Sequence, residues 1–218
     1  MRSERGFTLI ELAIVLVIIG IIIGMVLKGQ DLIQNARAKS FVNKNRHWET
    51  TVWIYFDRKG GFPGDSDRDG KIGDGNVCQD IVNANFANPP YTGTPGTDFD
   101  CAAGGASPGG NTINTGSYTF YVFFGTDGGA DAGKNVMILC KDSACNAFNQ
   151  DELLFVEAFD TSIDGTADGS TGQVICVNTA PNTINVDQWE AVYNTAPTAA
   201  TCTAGTSRAL VYYFDSKR

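Results

Sequence analysis

Three aspartates at alternate positions, Asp65, Asp67 and Asp69, have the spacing with the clearest chemistry in this sequence. In the segment GDSDRDGKIGDGN they fill positions one, three and five of a twelve-residue loop of the EF-hand type, followed by glycine and then by Lys71, whose carbonyl takes position seven. Alternate carboxylates repel one another unless a divalent cation lies between them, and oxygen ligands suit a hard cation. The sequence therefore predicts a calcium (Ca2+) site over residues 65–76.

The twelfth position of this loop departs from the pattern, because Asn76 stands where a bidentate glutamate is usual. One ligand charge is missing, so we expect weaker binding, or a ligand set completed by Asp74 or Asp80. An acidic turn that holds no metal is the alternative interpretation of the same residues.

Two other motifs suggest ligand sites but have simpler explanations. Asp160, Asp164 and Asp168 recur every four residues and could hold a second cation, although aspartate–glycine pairs are also typical of tight turns, which we favour. The segment GGADAGKN, residues 128–135, nearly matches a phosphate-binding loop, but Asn135 replaces the serine or threonine that holds magnesium. A strand-like segment follows it instead of a helix, so we predict a hairpin turn.

Six cysteines lie in the C-terminal two thirds of the chain, and an even number outside the cytoplasm predicts disulfides. Many pairings are possible, and we adopt the one between neighbours: Cys78 with Cys101, Cys140 with Cys145, and Cys176 with Cys202. Zinc is disfavoured, because the close pair has no second pair and no histidine to complete a site.

The most apolar segment is FTLIELAIVLVIIGIIIGMVL, from Phe7 to Leu27, in which Glu11 is the single charge. A helix of this length spans roughly 30 Å, the thickness of the hydrocarbon core of a bilayer. Arg2 and Arg5 precede it, and positive residues favour the cytoplasmic side. We therefore predict a transmembrane helix with a cytoplasmic N-terminus and the rest of the chain outside.

The order of cationic residues, Gly6, Phe7, Glu11 and an unbroken apolar helix resembles the prepilin signal of type IV pilins and type II secretion pseudopilins. The resemblance implies that a prepilin peptidase cuts after Gly6, removing the leader of residues 1–6, and that Phe7 becomes a methylated N-terminus.

The resemblance also implies that Glu11 pairs with the N-terminal amine of a neighbouring subunit. A carboxylate within a membrane costs about 2.5–3.5 kcal/mol, which itself indicates a function. A plain signal anchor, with Glu11 reaching the headgroups, is the alternative.

The helical pattern continues past Leu27 and becomes amphipathic, so we predict one helix over residues 7–58 in which 7–27 form the transmembrane or filament-core half. The remainder, 59–218, is predicted to be a disulfide-linked head. Short β-branched and aromatic runs predict an antiparallel sheet in it, with strands at 118–124, 135–140, 173–177 and 209–214. The fold class is α+β and, by the resemblance, type IV pilin-like, with the helix packed on a sheet with long loops.

Composition limits the possible functions. The chain has 16 basic and 24 acidic side chains, a net charge of −8, which disfavours nucleic-acid partners, and its single histidine removes most histidine-based catalysis. No nucleophile or acid–base pair indicates an enzyme.

The resemblance implies a structural subunit of a pilus or a secretion pseudopilus, both of which fit the signal. Its implied partners are other copies or other pilins, prepilin peptidase and the inner-membrane assembly machinery. Its implied location is the inner membrane before assembly, and a periplasmic or extracellular filament afterwards. The alternative is a minor tip pilin, an adhesin or substrate-binding module whose glycine-, proline- and threonine-rich loop at 83–117 engages a surface, a glycan or a secreted protein.

Overall fold

A computed structural model of the chain describes residues 8–84, 110–129 and 132–215. The chain divides into two compact units, Met1–Arg37 and Ala38–Arg218. One helix, α1 (Leu9–Lys59), begins in the first unit and ends in the second. The apolar helix of the prediction is therefore continuous with the amphipathic one.

In the first unit, α1 is exposed along its apolar length. Every residue from Thr8 to Lys28 is solvent-exposed, including leucines, isoleucines and valines that are about half or more exposed. By length and composition, α1 is the one helix of the described chain that could cross a membrane. An apolar surface of this size is unstable in water, so it needs lipid or neighbouring protein around it.

In the second unit, α1 buries one face. Phe41, Asn45, Trp48 and Val52 follow the three- and four-residue spacing of a helix and are all buried. The helix ends at Lys59 because Gly60 adopts a positive φ of 77°, and its N–H donates to the Phe56 carbonyl at 2.8 Å.

Two shorter helices, α2 (Val77–Ala84) and α3 (Gln150–Asp164), complete the helices of the described residues. Eight described strands form one sheet: β1 (Thr112–Asn114), β2 (Thr119–Thr126), β3 (Asn135–Cys140), β4 (Val174–Val177), β5 (Thr183–Asn185), β6 (Glu190–Val192), β7 (Ala199–Ala200) and β8 (Ala209–Tyr212). The order is β5-β6-β2-β3-β8-β4-β7, and β1 pairs with β2.

The four predicted strands are present as β2, β3, β4 and β8; the bounds of β3 match the prediction, and those of the other three differ by one or two residues. The sheet is mostly antiparallel, as predicted, but β6 pairs with β2 in parallel through Phe124 and Glu190. A parallel pair joins segments far apart in sequence, and local patterns do not predict such pairs.

The sheet is buried on both faces. Phe124, Met137 and Leu210 lie in the core on the face that α1 covers, together with Trp48. Alternate residues such as Phe123, Ile138 and Val211 lie in a second core on the other face. The sheet therefore provides a rigid support for the loops that connect it to the helices.

Disulfides join Cys140 to Cys145 and Cys176 to Cys202, the pairing predicted between neighbours. The third predicted pair, Cys78 with Cys101, includes a residue outside the described ranges.

Candidate functional site

Glu11 lies in the first turn of α1 and contacts Thr8. The backbone N–H and the hydroxyl of Thr8 each donate to Glu11 Oε2 at 2.8 Å, while the Glu11 N–H approaches Thr8 Oγ1 at 3.4 Å. This reciprocal arrangement is a capping box, and α1 begins at Leu9 directly after Thr8. The Thr-x-x-Glu spacing signals this cap in the sequence. Gly6 and Phe7 lie outside the described residues.

The predicted calcium loop connects α1 to α2, and three of its carboxylates converge. One carboxylate oxygen each from Asp65, Asp67 and Asp74 lies within 4.8 Å of the other two. Oxygen atoms bound to one calcium ion lie 2.3–2.6 Å from it, so ligands on opposite sides of the ion are about 5 Å apart. The three side chains are therefore placed to share a cation. Asp74 is one of the two residues expected to complete the ligand set.

The other acidic or amide side chains expected as ligands accept backbone hydrogen bonds, as the three clustered aspartates also do. Asp69 Oδ1 accepts a hydrogen bond from the Lys71 N–H at 2.7 Å. Asn76 Oδ1 accepts from the Gln79 N–H at 2.9 Å, which places Asn76 as the cap of α2. Asp80, the second residue expected to complete the set, accepts from the backbone N–H of Gly64.

Two glycines close the loop at its base. The carbonyl of Gly64 accepts hydrogen bonds from the N–H groups of Gly73 and Gly75, at 3.1 and 3.0 Å. A Cβ atom at Gly75 would lie 2.9 Å from the Gly64 carbonyl carbon, so no larger residue fits there without a shift of the backbone. This close approach brings Asp74 back beside Asp65.

Asn135 at the start of β3 anchors the loop to the sheet. Its Nδ2 donates to the Gly70 carbonyl at 2.8 Å, and its Oδ1 accepts from the Ile72 N–H at 2.9 Å. In the sequence, Asn135 is notable only as the residue at which the segment departs from a phosphate-binding loop. The predicted hairpin turn is confirmed, since β2 and β3 pair antiparallel up to Thr126 and Asn135. No local signal links Asn135 to a loop 63 residues earlier.

The electrostatic environment differs among the clustered aspartates. Burial raises the pKa of Asp65, which is 8% exposed, and the charge of Asp69 adds to this, although hydrogen bonds from Gly70 and Asp69 N–H groups oppose it. Burial by itself would raise the pKa of the Asp74 carboxyl. The hydrogen bonds from Ser66 outweigh this effect and hold the pKa of Asp74 below its ordinary value. Both features follow from carboxylates packed closely in a short loop.

The second acidic run behaves as a set of backbone caps. Asp160 accepts a hydrogen bond from the Gly169 N–H. Asp164 accepts from the N–H groups of Gln173 and Val174, at the start of β4. Asp168 accepts from the N–H groups of Ser170 and Thr171 in its own turn. Among the described residues, the acidic group close enough to share a metal is the one at Asp65. The favoured interpretation as turns accounts for these contacts.

Residues 1–27 match the family model described as the prokaryotic N-terminal methylation motif. This motif is the prepilin signal of type IV pilins and pseudopilins, so the resemblance noted in the sequence is confirmed for this segment. No curated protein and no solved structure matches the chain.

Proposed function

We propose that this structural subunit of the type IV pilin or pseudopilin type is cut after Gly6, methylated at Phe7 and polymerised through α1 into a filament. The match of residues 1–27 to the methylation motif carries the proposal. The exposed apolar surface between Thr8 and Lys28 supports it, because that surface needs lipid before assembly and neighbouring helices afterwards. The partners are then other pilins, prepilin peptidase and the inner-membrane assembly machinery.

Intact-mass analysis of the protein from its native membranes tests the processing step. We expect a mass that lacks Met1 to Gly6 and carries one added methyl group, and fragmentation should place that group on the amine of Phe7. The same protein made in cells without a prepilin peptidase is the control, and it should keep its leader. A native protein that retains residues 1–6 in cells with an active peptidase contradicts the proposal.

We also propose that the head binds calcium at the loop of residues 65–76 and is stabilised by it. The convergence of Asp65, Asp67 and Asp74 supports this site. Ligands that bind only the folded state raise its stability, by about 2.7 kcal/mol at a hundredfold excess over Kd. Extracellular calcium modules have Kd values of roughly 0.1–1 mM, and this loop lacks the glutamate of the tighter sites.

Thermal unfolding of the full-length protein in detergent micelles tests the calcium site. We expect about 10 mM calcium to raise the melting temperature more than the same concentration of magnesium, which requires tighter octahedral geometry. The double variant Asp67→Asn plus Asp74→Asn should lose the calcium shift. Asp57→Asn, an exposed aspartate on α1, is the matched control and should keep it.

The single variant Asp69→Asn distinguishes two ligand sets. Loss of the calcium shift assigns Asp69 as a ligand, as the spacing predicts, whereas an unchanged shift assigns Asp74 in its place. A calcium shift no larger than the magnesium shift in the unmodified protein contradicts the metal site altogether, and the loop is then an acidic turn.

The alternative, a minor tip pilin that binds a surface or a secreted substrate, has one supporting observation in the described head. A cleft of about 330 Å³ lies beside β7, and both polar residues, such as Asn178, Asn182 and Thr195, and several alanines line it. Most of the loop at 83–117 lies outside the described residues. Purified filaments discriminate the two roles, because a building block is present along their whole length and a tip protein only in traces.

A further inference from the structure

The tetrapeptide asparagine-threonine-alanine-proline occurs twice in the head, at 178–181 and at 194–197. The first copy lies between β4 and β5, and the second lies between β6 and β7. In both copies the proline is buried, whereas the asparagine and the threonine are exposed. The same short pattern therefore presents an amide and a hydroxyl at the surface twice, each time beside a buried proline.

Strand pairing brings the two copies side by side. Strands β4 and β7 pair antiparallel through Val177 and Ala199, and β5 and β6 pair antiparallel through Thr183 and Val192. The connection from β4 to β5 and the connection from β6 to β7 are therefore held together at both ends and run in opposite directions. Residues of both connections line the cleft of about 330 Å³, a volume within the range of small-molecule sites.

Hydrogen bonds between the two connections fix the shape of the cleft. The hydroxyl of Tyr193, which is buried in the core on the face away from α1, donates to the Thr179 carbonyl at 3.1 Å. The N–H of Asn194 donates to Asn182 Oδ1 at 2.9 Å, and the Asn182 N–H donates to the Val192 carbonyl at 2.9 Å. The walls are therefore tied to each other and to the sheet without a ligand.

The polar groups in the cleft are neutral and have unused hydrogen-bonding capacity. Two amide nitrogens and three hydroxyls that line it donate no hydrogen bond within the described residues: those of Asn178, Asn182, Thr179, Thr195 and Thr198. No residue of the described chain that lines the cleft is charged at neutral pH. Hydroxyls both donate and accept hydrogen bonds, so these groups match a ligand that is itself rich in hydroxyls.

The other ligand classes fit this cleft less well. A metal ion or a phosphate group needs charged partners, which the lining residues do not provide. A peptide that adds a strand to the sheet needs an extended edge, whereas the adjacent edge strand, β7, has two residues. The alanines and the proline of the lining supply C–H surface for the less polar faces of a ring.

We propose that this cleft binds a neutral carbohydrate, with the two tetrapeptide copies as its opposite walls. The inference rests on neither the filament role nor the calcium site, because a building block and a tip subunit can both carry such a site. Its failure therefore leaves both of those proposals standing.

Saturation-transfer NMR on the full-length protein tests the ligand class. The micelles must be of a detergent without a sugar headgroup, such as lauryldimethylamine oxide, since a glycoside detergent would compete. The neutral probes are glucose, galactose and N-acetylglucosamine, and glucuronic acid and glucosamine are probes with the ring of glucose plus one charge. We expect at least one neutral sugar to bind, and neither charged sugar to bind more tightly than glucose.

Variants test the location of the site. The double variant Thr179→Val plus Thr195→Val keeps the branched shape of each side chain and removes one hydroxyl from each wall, so sugar binding should weaken at least about fivefold. Thr166→Val, an exposed threonine between α3 and β4, is the matched control and should bind as the unmodified protein does. Ala196→Leu, at an exposed position of the lining, fills the cleft and should abolish binding even if the double variant does not fold.

Three outcomes overturn the proposal. The first is that none of the neutral sugars binds, or that a charged sugar binds more tightly than glucose. The second is that sugar binding survives in Ala196→Leu, because the sugar then binds elsewhere. The third is that a neutral peptide with both ends capped binds and the sugars do not, which assigns the cleft to a protein partner.

Discussion

Asp160 on α3 shows how the fold holds an acidic side chain in a position that disfavours its charge. The residue has no exposed surface; its Oδ2 accepts from the Gly169 N–H at 2.8 Å, and its Oδ1 has no partner within the described residues. Burial raises the pKa of Asp160 to about 6, and the nearby charges of Asp164 and Asp168 add to this, against the hydrogen bond from Gly169. The contact with Gly169 positions the turn before β4.

This raised pKa predicts a pH dependence of stability. The ordinary aspartate pKa is 3.8, so between about pH 4 and 6 the folded state holds a proton that the unfolded state has released. Stability therefore falls as the pH rises through this window, and the full penalty is present above it. Asp160→Asn should remove that fall and raise the free energy of unfolding at pH 7 by about 1–3 kcal/mol.

Urea unfolding of the full chain at pH 5 and pH 7 measures this effect. Asp57→Asn, an exposed aspartate, is the control and should leave the pH profile unchanged. The account is wrong if Asp160→Asn is less stable than the unmodified protein at pH 7, because the ionised form is then the one that the fold needs.

At the scale of elements, α1 and the strands of four or more residues were predictable, and the strands of two or three residues were not. The spacing of Phe41, Trp48 and Val52 indicates the buried face of α1, and the runs of β-branched residues indicate β3 and β8. Strand β6 has only three residues, and its parallel pairing with β2 depends on contacts distant in sequence. Trp189, with a positive φ of 56°, turns the chain into β6, and sequence patterns give no warning of it.

The candidate metal site was predictable only in its local part. Alternate spacing identifies Asp65 and Asp67, whereas Asn135 contacts the loop from the sheet. The flanks of the loop have no pattern that predicts a second helix, yet α2 follows the loop directly, and the contact of Asn76 with the Gln79 N–H is that of a helix cap. Asparagine suits both roles, so only its surroundings distinguish them.

At the scale of the whole molecule, α1 serves two environments. Its face from Phe41 to Val52 packs into the head, and its residues from Leu9 to Lys28 are exposed within the described chain. Glu11 lies near the exposed end of that apolar stretch and has only Thr8 as a hydrogen-bond partner among the described residues. A filament in which such helices pack side by side would cover both the apolar surface and this carboxylate.

The variant Glu11→Gln tests whether that carboxylate acts in assembly. Glutamine at this position still forms a capping box with Thr8, so the start of α1 is kept while the charge is lost. Because a neutral side chain is a better resident of lipid, membrane insertion should persist, and only a role in subunit pairing predicts fewer filaments. Immunoblots of sheared filaments and of membranes, from cells that assemble the protein, measure both quantities.

Thr8→Ala is the matched control for Glu11→Gln. It weakens the cap by about 1 kcal/mol but keeps the charge, so filaments should form. Normal filament yield with Glu11→Gln contradicts the pairing, and loss of filaments with both variants assigns the defect to the helix start.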